Sequence, residues 1–490
     1  MQPFRIKIYS ILFLFLANVL IGTAQETEFE RLKQTLSLQS LPLVNITVDL
    51  ALVNTKTHIP AHIEICDYYK RTNPDSISTT YNCEIKYRGA SATRYNKKSF
   101  AVKLTTQAGQ DLNANLFGIR KENSWILDAM AIDRLRMRNR VCFDIWNAMS
   151  KIPYNTPYDK RNGTAGRFVE VFINGNYHGL YCLTDKIDRK LLALNKYSTN
   201  SKGETSIRGV LYKGISWGSA TYLTGYTEAA TDTRNWNNWE LQYPEDLPSY
   251  ETWHPLIELI DFCTKEKTSI FRSQYTDHFY PENLIEYAVF TMALNVGDNA
   301  YKNTFLSNVD IQKQATFLIT PWDMDMSLGG NWNGNYNEKT ASIYQYDRIG
   351  PFNKLLPNNV DHLRNRMADY WNDNKHNFLS TDNVAQLIIE YAELFTLSGA
   401  WEREVEKWNN NPVPLKTDLF EEVDYVINWY KQNYAAVDAQ FMPLSTPIPT
   451  TTVSPPTPTI YTLDGKTLTT PINRLQKGIY IINGAKIRFD

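Results

Sequence analysis

At 490 residues, with 43% hydrophobic and 21% charged side chains, the chain is long enough for two or three domains and too apolar to be disordered. Its 51 Lys and Arg balance 52 Asp and Glu, so no global positive field favours nucleic acid or an anionic membrane as a partner. No HExxH stands among the His, Pro60 separates His58 from His62, and no CxxC stands among the Cys, which argues against zinc.

In the first 24 residues, Arg5 and Lys7 precede an apolar run, Ile11 to Leu20, followed by Gly22, Thr23 and Ala24. This is the pattern of a secretory signal peptide at 1–24. No later stretch approaches the ~20 apolar residues of a spanning helix. The expectation is an exported protein, periplasmic, at the cell surface or secreted, with no transmembrane segment. Buried free thiols are the favoured reading of the five cysteines, with Cys66 and Cys83, on neighbouring candidate strands, as a pair that could form a disulfide in that compartment.

A short helix over 26–36 precedes LPLVNITVDLALV, IPAHIEICDYY, YNCEIKYRG and KKSFAVKL. Their period-two alternation predicts a strand-rich, antiparallel part. Residues 124–150 change to helical spacing, with Asp133 as a cap and Arg138 placed to pair with it. FVEVFINGNYHGLYCLT is a hairpin turning at Asn174-Gly175-Asn176, with His178 as a packing or surface residue. The Trp-rich stretch over about 200–250 reads as an insertion or large loop, packed rather than a sugar platform, although a glycan is a further candidate ligand.

From Tyr250 onward the spacing predicts helices over 251–266, 281–295, 355–374, 381–397, 400–409 and 417–440, interrupted by a hairpin over 304–320. The Pro/Thr run over 443–459 is a linker, and 460–490 forms a small β module of about three strands. The fold class is therefore α+β, with a strand-rich part over about 40–200 and a helical part over about 250–442 inside one domain, 25–442.

The hairpin carries the chemistry. Asp298 stands five residues before Asn303, and Asp323 and Asp325 follow the second strand. Antiparallel strands joined by a turn start and finish at one edge, so these carboxylates converge. One Asp to orient an attacking hydroxyl, an Asn five residues on and a later Asp for Mg2+ is the pattern of phosphoryl transfer. Asp323-Met324-Asp325 is also a DxD, which a metal-dependent glycosyltransferase would use on a nucleotide sugar. That reading requires strands alternating with helices upstream, where strands instead run consecutively.

Four blocks in sequence resemble the CotH kinase family of secreted atypical protein kinases, named for a spore coat protein. They are IKYRGASATRYNKKSFAVKL, LDAMAIDRLRMRNRV, VEVFINGNYHGLYCLTDKID, and DNAYKN followed by ITPWDMDMSLG. The resemblance implies a bilobal, kinase-like fold and transfer of the γ-phosphate of ATP, with Mg2+ or Mn2+, to Ser or Thr hydroxyls of an exported or surface protein. It implies Asp298 as the catalytic Asp and Lys302 as a cation on the transferred phosphoryl. Asn303, Asp323 and Asp325 would be metal ligands, and Arg88, Gly89, Lys97 or Lys98, and Lys186 would meet the nucleotide. Strand parity favours Lys98 over Lys97 on the buried face. The chain departs from the family pattern at Ala90 and Ala92, where the family has Asn and a second Ser or Thr, and at Asp185, where it usually has Glu. Asp185 keeps the charge with a shorter reach, and the intact Asp298, Asn303 and Asp323 set points to an active enzyme; Ala90 and Ala92 are the main support for the alternative, an inactive kinase-like fold kept as a surface binding or adhesion module. The tail resembles the C-terminal sorting modules of exported Bacteroidetes-type proteins.

Overall fold

The computed structural model describes residues 26–68, 77–157, 159–229, 232–300, 302–342, 346, 349–442, 460–462, 467–468, 478–482 and 485–489; the candidate signal peptide and the Pro/Thr linker lie outside them. Contacts divide the chain into two units, Met1–Ser445 and Thr446–Asp490.

The first unit opens with helix α1 (Glu28–Gln34), capped by the Thr27 hydroxyl. Strands β1 (Leu43–Thr47), β2 (Ile59–Cys66), β3 (Ser78–Arg88) and β4 (Ser99–Thr105) follow, then a small hairpin, β5 (Ala114–Asn115) with β6 (Lys121–Glu122). After β7 (Ser124–Asp128) and helix α2 (Arg138–Met149) come β8 (Gly166–Ile173) and β9 (Asn176–Thr184). Seven of these strands close a barrel in the order β1-β2-β3-β4-β7-β9-β8. Its interior is filled by the apolar positions of the alternation, such as Val44, Ile46, Ile63, Ile65, Phe100, Val102, Leu104, Val169 and Val171. Closure leaves no strand edge to the solvent.

Two expectations change here. The sheet is not wholly antiparallel, because β1 runs parallel to β8; the long chain between them supplies the crossover that a parallel pair needs. The helix expected over 124–150 starts only at Arg138, because residues 124–128 form β7, a barrel strand between β4 and β9. A three-residue apolar run such as Trp125-Ile126-Leu127 fits either element, and only its neighbours decide. The favoured reading of the cysteines holds: all five are buried free thiols, and Cys66 and Cys83 do not pair. The β2–β3 register sets Cys66 opposite Ser78 and Cys83 opposite Ala61.

The stretch expected as an insertion is part of a second sheet. After the hairpin β10 (Ser198–Thr199) with β11 (Thr205–Ser206), strands β12 (Val210–Gly214), β13 (Asn235–Trp236) and β14 (Trp239–Tyr243) pair with β15 (Thr304–Asn308) and β16 (Leu318–Pro321) in the order β13-β14-β12-β15-β16. Trp236, Trp239 and Trp253 are buried in the main core.

The helical part comprises α3 (Tyr250–Lys265), α4 (Thr268–His278), α5 (Pro281–Leu294), α6 (Phe352–Leu355), α7 (Leu363–Asn374), α8 (Thr381–Leu397), α9 (Ala400–Trp408) and α10 (Leu419–Phe441). Helix α4 was not expected. The expected 355–374 helix is broken, with Asn359, Asp361 and His362 in the left-handed region. In the second unit, β17 (Ile460–Thr462), β18 (Thr467–Leu468), β19 (Gly478–Ile482) and β20 (Ala485–Phe489) form a four-stranded antiparallel sheet. Among the described residues no helix is long and apolar enough to cross a membrane.

Candidate active site

A cavity of about 690 Å³ lies in the first unit, between the end of β3, the loop into β4, the end of β7, the start of α2, β12 and the β15–β16 hairpin. Arg88, Gly89, Lys97, Asp298, Lys302, Asn303, Asp323 and Asp325 all line it.

The hairpin geometry follows from a chain of backbone bonds. Helix α5 ends at Asn295, which adopts the left-handed conformation, and Asp298 opens a single 3-10 turn, Asp298–Ala300. Pairing of Thr304 with Pro321 brings Asn303 and Trp322 to the same end of the hairpin, where Trp322 N–H donates to the Asn303 carbonyl at 2.8 Å. Asn303 N–H in turn donates to the Gly214 carbonyl of β12 at 3.1 Å. Asn303 and Asp323 have φ of +54° and +58°, a region that Asn and Asp enter more readily than most residues. Asn299 holds both turns: its buried amide donates to the carbonyls of Asn303 (2.8 Å) and Trp322 (2.9 Å). Lys302 Nζ lies 2.9 Å from Asp298 Oδ2, and Asn303 Nδ2 lies 3.5 Å from the same oxygen.

Asp323 is deep in the molecule, yet its surface is open to the cavity, so the void and not a dry core surrounds its carboxylate. Burial pushes that carboxyl up, Lys213 pulls it down, and Asp128 pushes it up again. Asp325 stands well above the usual carboxylate range, from burial first and then from Asp323, Asp128, Asp133 and Asp298. Asp128 accepts from Ser99 Oγ, Met130 N–H and Asn139 Nδ2, and Asn139 Oδ1 accepts from Met324 N–H. One amide thus joins two acidic segments. Among the described residues no three His, Cys, Asp or Glu side chains are grouped to hold a metal ion by themselves. Two mutually repelling carboxylates and an amide oxygen fit a hard divalent cation of the Mg2+ type, which keeps waters and takes phosphate oxygens as further ligands.

The cations sort into two kinds. The Lys97 side chain is fully buried: Nζ donates to Glu404 Oε1 and to the Leu180 carbonyl, each at 2.6 Å, and sits 4.8 Å from the Tyr181 ring centroid. Arg136, equally buried, donates to the same Glu404 oxygen at 2.7 Å. Lys98 is not buried with Phe100; β4 begins only at Ser99, and Lys98 Nζ donates to the Thr93 and Tyr95 carbonyls of its own loop. Strand alternation does not reach Lys97 and Lys98, because both precede β4. By contrast Arg88 borders the cavity, 5.7 Å from the Trp322 ring. Lys186 stands near it, its ammonium pushed down by burial against the pull of Asp188 and Glu245. Gly89 has φ +106°, and a Cβ there would meet the Ala92 Cβ at 2.9 Å, so the loop requires glycine.

Other expected residues have structural posts. Arg138 pairs with Asp133, whose carboxylate also accepts from the N–H groups of Met137 and Arg138. Asp185 is buried on Arg120, at 2.9 Å, and on the Ala165 N–H. His178 packs among Phe100, Tyr181 and Trp408, and burial pushes its imidazole down to about 4. Sequence reasoning missed Asp128, Asn139, Asn299, Trp322 and Lys213. The first four lie inside the quoted blocks and had a signal in their neighbours; Lys213, in an apolar strand, had none.

No curated protein matches the chain. A sequence model of the CotH kinase protein family matches residues 85–437, a span that includes every cavity residue named above. With most of its length covered by that match, the chain belongs to the CotH kinase family.

Proposed function

We propose that the protein transfers the γ-phosphate of ATP to Ser or Thr hydroxyls of exported or surface proteins, on a bilobal kinase-like frame in which the barrel serves as one lobe and the helices as the other. The observation that carries this reading is the meeting of Asp298, Asn303, Asp323 and Asp325 on one cavity. A volume of about 690 Å³ lies within the range of small-molecule sites.

In this reading Asp298 accepts the proton of the acceptor hydroxyl, whose oxygen bonds to the γ-phosphorus as the bond to the β,γ-bridging oxygen breaks and ADP leaves. Lys302, 2.9 Å from Asp298, supplies positive charge beside the transferred phosphoryl. Asn303, Asp323 and Asp325 would hold Mg2+ or Mn2+, which when bound neutralises charge on the phosphate oxygens. Gly89 allows the loop to approach the phosphates closely. The consecutive-strand barrel weighs against a DxD glycosyltransferase, which requires a doubly wound sheet.

A second reading, a surface binding module, draws on Ala90 and Ala92 and on Trp217 and Trp332, which line the cavity while 50% and 67% exposed; a glycan would suit such rings. Export through the 1–24 segment and sorting through the C-terminal module belong to both readings. Incubation of the purified protein with labelled ATP and either Mg2+ or Mn2+ tests the first: transfer to itself or to a generic protein acceptor, abolished by EDTA, is expected. Absence of transfer together with glycan binding would replace it by the second.

A further inference from the structure

The cavity sets opposite charges against one void without letting them touch. Asp323 and Asp325 line it together with Arg88 and Lys213. Lys213 comes from β12, where it pairs with Phe305 of β15, and its ammonium lies 5.7 Å from the Trp322 ring centroid and 6.0 Å from that of Phe305. The Arg88 guanidinium lies 5.7 Å from the same Trp322 ring. One indole therefore supports two cations, and among the described residues neither makes an ion pair within 4 Å. Two like charges held together on an aromatic face are costly unless an anion joins them. The lysines expected to meet phosphate are engaged elsewhere, Lys97 by Glu404 and Lys98 by its own loop.

We propose that Lys213 and Arg88, carried on Trp322, form the polyphosphate clamp of this site, and that Lys97 is a positioning residue that ties the β4 entry loop to α9 through Glu404. This rests on the nucleotide reading given above but assigns its phosphate ligands separately from catalysis. The anion it takes is a linear polyphosphate bound with a divalent cation.

The test is calorimetric binding of inorganic tripolyphosphate and of ATP, each with Mg2+, to the full protein and to Lys213→Met, Lys213→Arg and Lys97→Met, with thermal unfolding of each variant. Loss of one charged contact predicts about tenfold to hundredfold weaker binding of both ligands by Lys213→Met, with Lys213→Arg largely restoring it. Folded Lys97→Met is expected to bind both ligands nearly as the parent does while unfolding at a lower temperature. Unchanged binding by a folded Lys213→Met, or no tripolyphosphate binding by the parent, overturns the clamp. If Lys213→Met does not fold, a Lys213→Arg protein that folds but binds tenfold more weakly or worse overturns it as well. Lys213-dependent tripolyphosphate binding by a protein that transfers no phosphate would sink the kinase reading and leave the clamp standing.

Discussion

The Glu404 cluster, which reaches the cavity only through Lys97, and the Asp323 cluster, which lines it, are built on opposite terms. In the first, Lys97, Arg136 and Glu404 are fully buried, and the carboxylate accepts from both cations and from the Leu180 N–H. In the second, Asp323 and Asp325 face each other's charge and a void. Their contrast separates charges that build a fold from charges kept for work. A buried ion pair persists when every partner is present, because removing one leaves an uncompensated charge. Carboxylates held together without a cation cost stability and persist where a ligand requires them. The Arg120–Asp185–Asp188 network belongs with the first kind.

Substitution in each cluster should therefore have opposite consequences. The largest effect is expected for Asp323→Ala, which should lower phosphate transfer by about 10²- to 10⁴-fold while leaving the unfolding temperature unchanged or raised, since Asp325 loses a repelling neighbour. Parallel loss of folding would move Asp323 into the structural class. Next, Glu404→Ala leaves two buried cations without their carboxylate and should cost about 3–5 kcal/mol in chemical denaturation; a change under about 1 kcal/mol would erase the distinction between the clusters.

The smallest effect concerns pH. Arg136 already neutralises Glu404, so burial pushes the Lys97 ammonium down to about 7 against the pull of Glu404, with Arg136 acting in the same direction as burial. Glu404 itself is held below the usual carboxylate range, because Lys97 and Arg136 together outweigh its burial. Below pH 7 Lys97 is charged in folded and unfolded chains alike; between about 7 and the ordinary lysine value of 10.5 only the unfolded chain keeps the proton. Stability should then rise with pH across that window, by at most about 1.4 kcal/mol per pH unit. Denaturation of the parent and Lys97→Met at pH 7 and pH 9 reads it: the parent should gain relative to the variant, and parallel curves would place the Lys97 proton elsewhere.

Much of the candidate site was legible because it is local. The spacing of Asp298, Asn303 and Asp323 around two short strands was enough, since a hairpin returns to its own starting edge. The turn at Asn174 and Gly175, with φ of +52° and +79°, was legible for the same reason. The role of residues 200–250 was not. Strand β12 is a strand only by virtue of β14 and of β15, about ninety positions later, and nothing in LYKG announces that pairing. The choice between Lys97 and Lys98 turned on Glu404, 307 positions away.

By itself the sequence determined which residues the chain can bring to a site, through alternation, turn chemistry and the short-range spacing of the acidic hairpin. Tertiary structure alone decided which charges are spent on one another and which face the cavity. A side chain's partners are set by long-range packing, and whether a charge is dry and paired or open and free depends on them more than on its own identity.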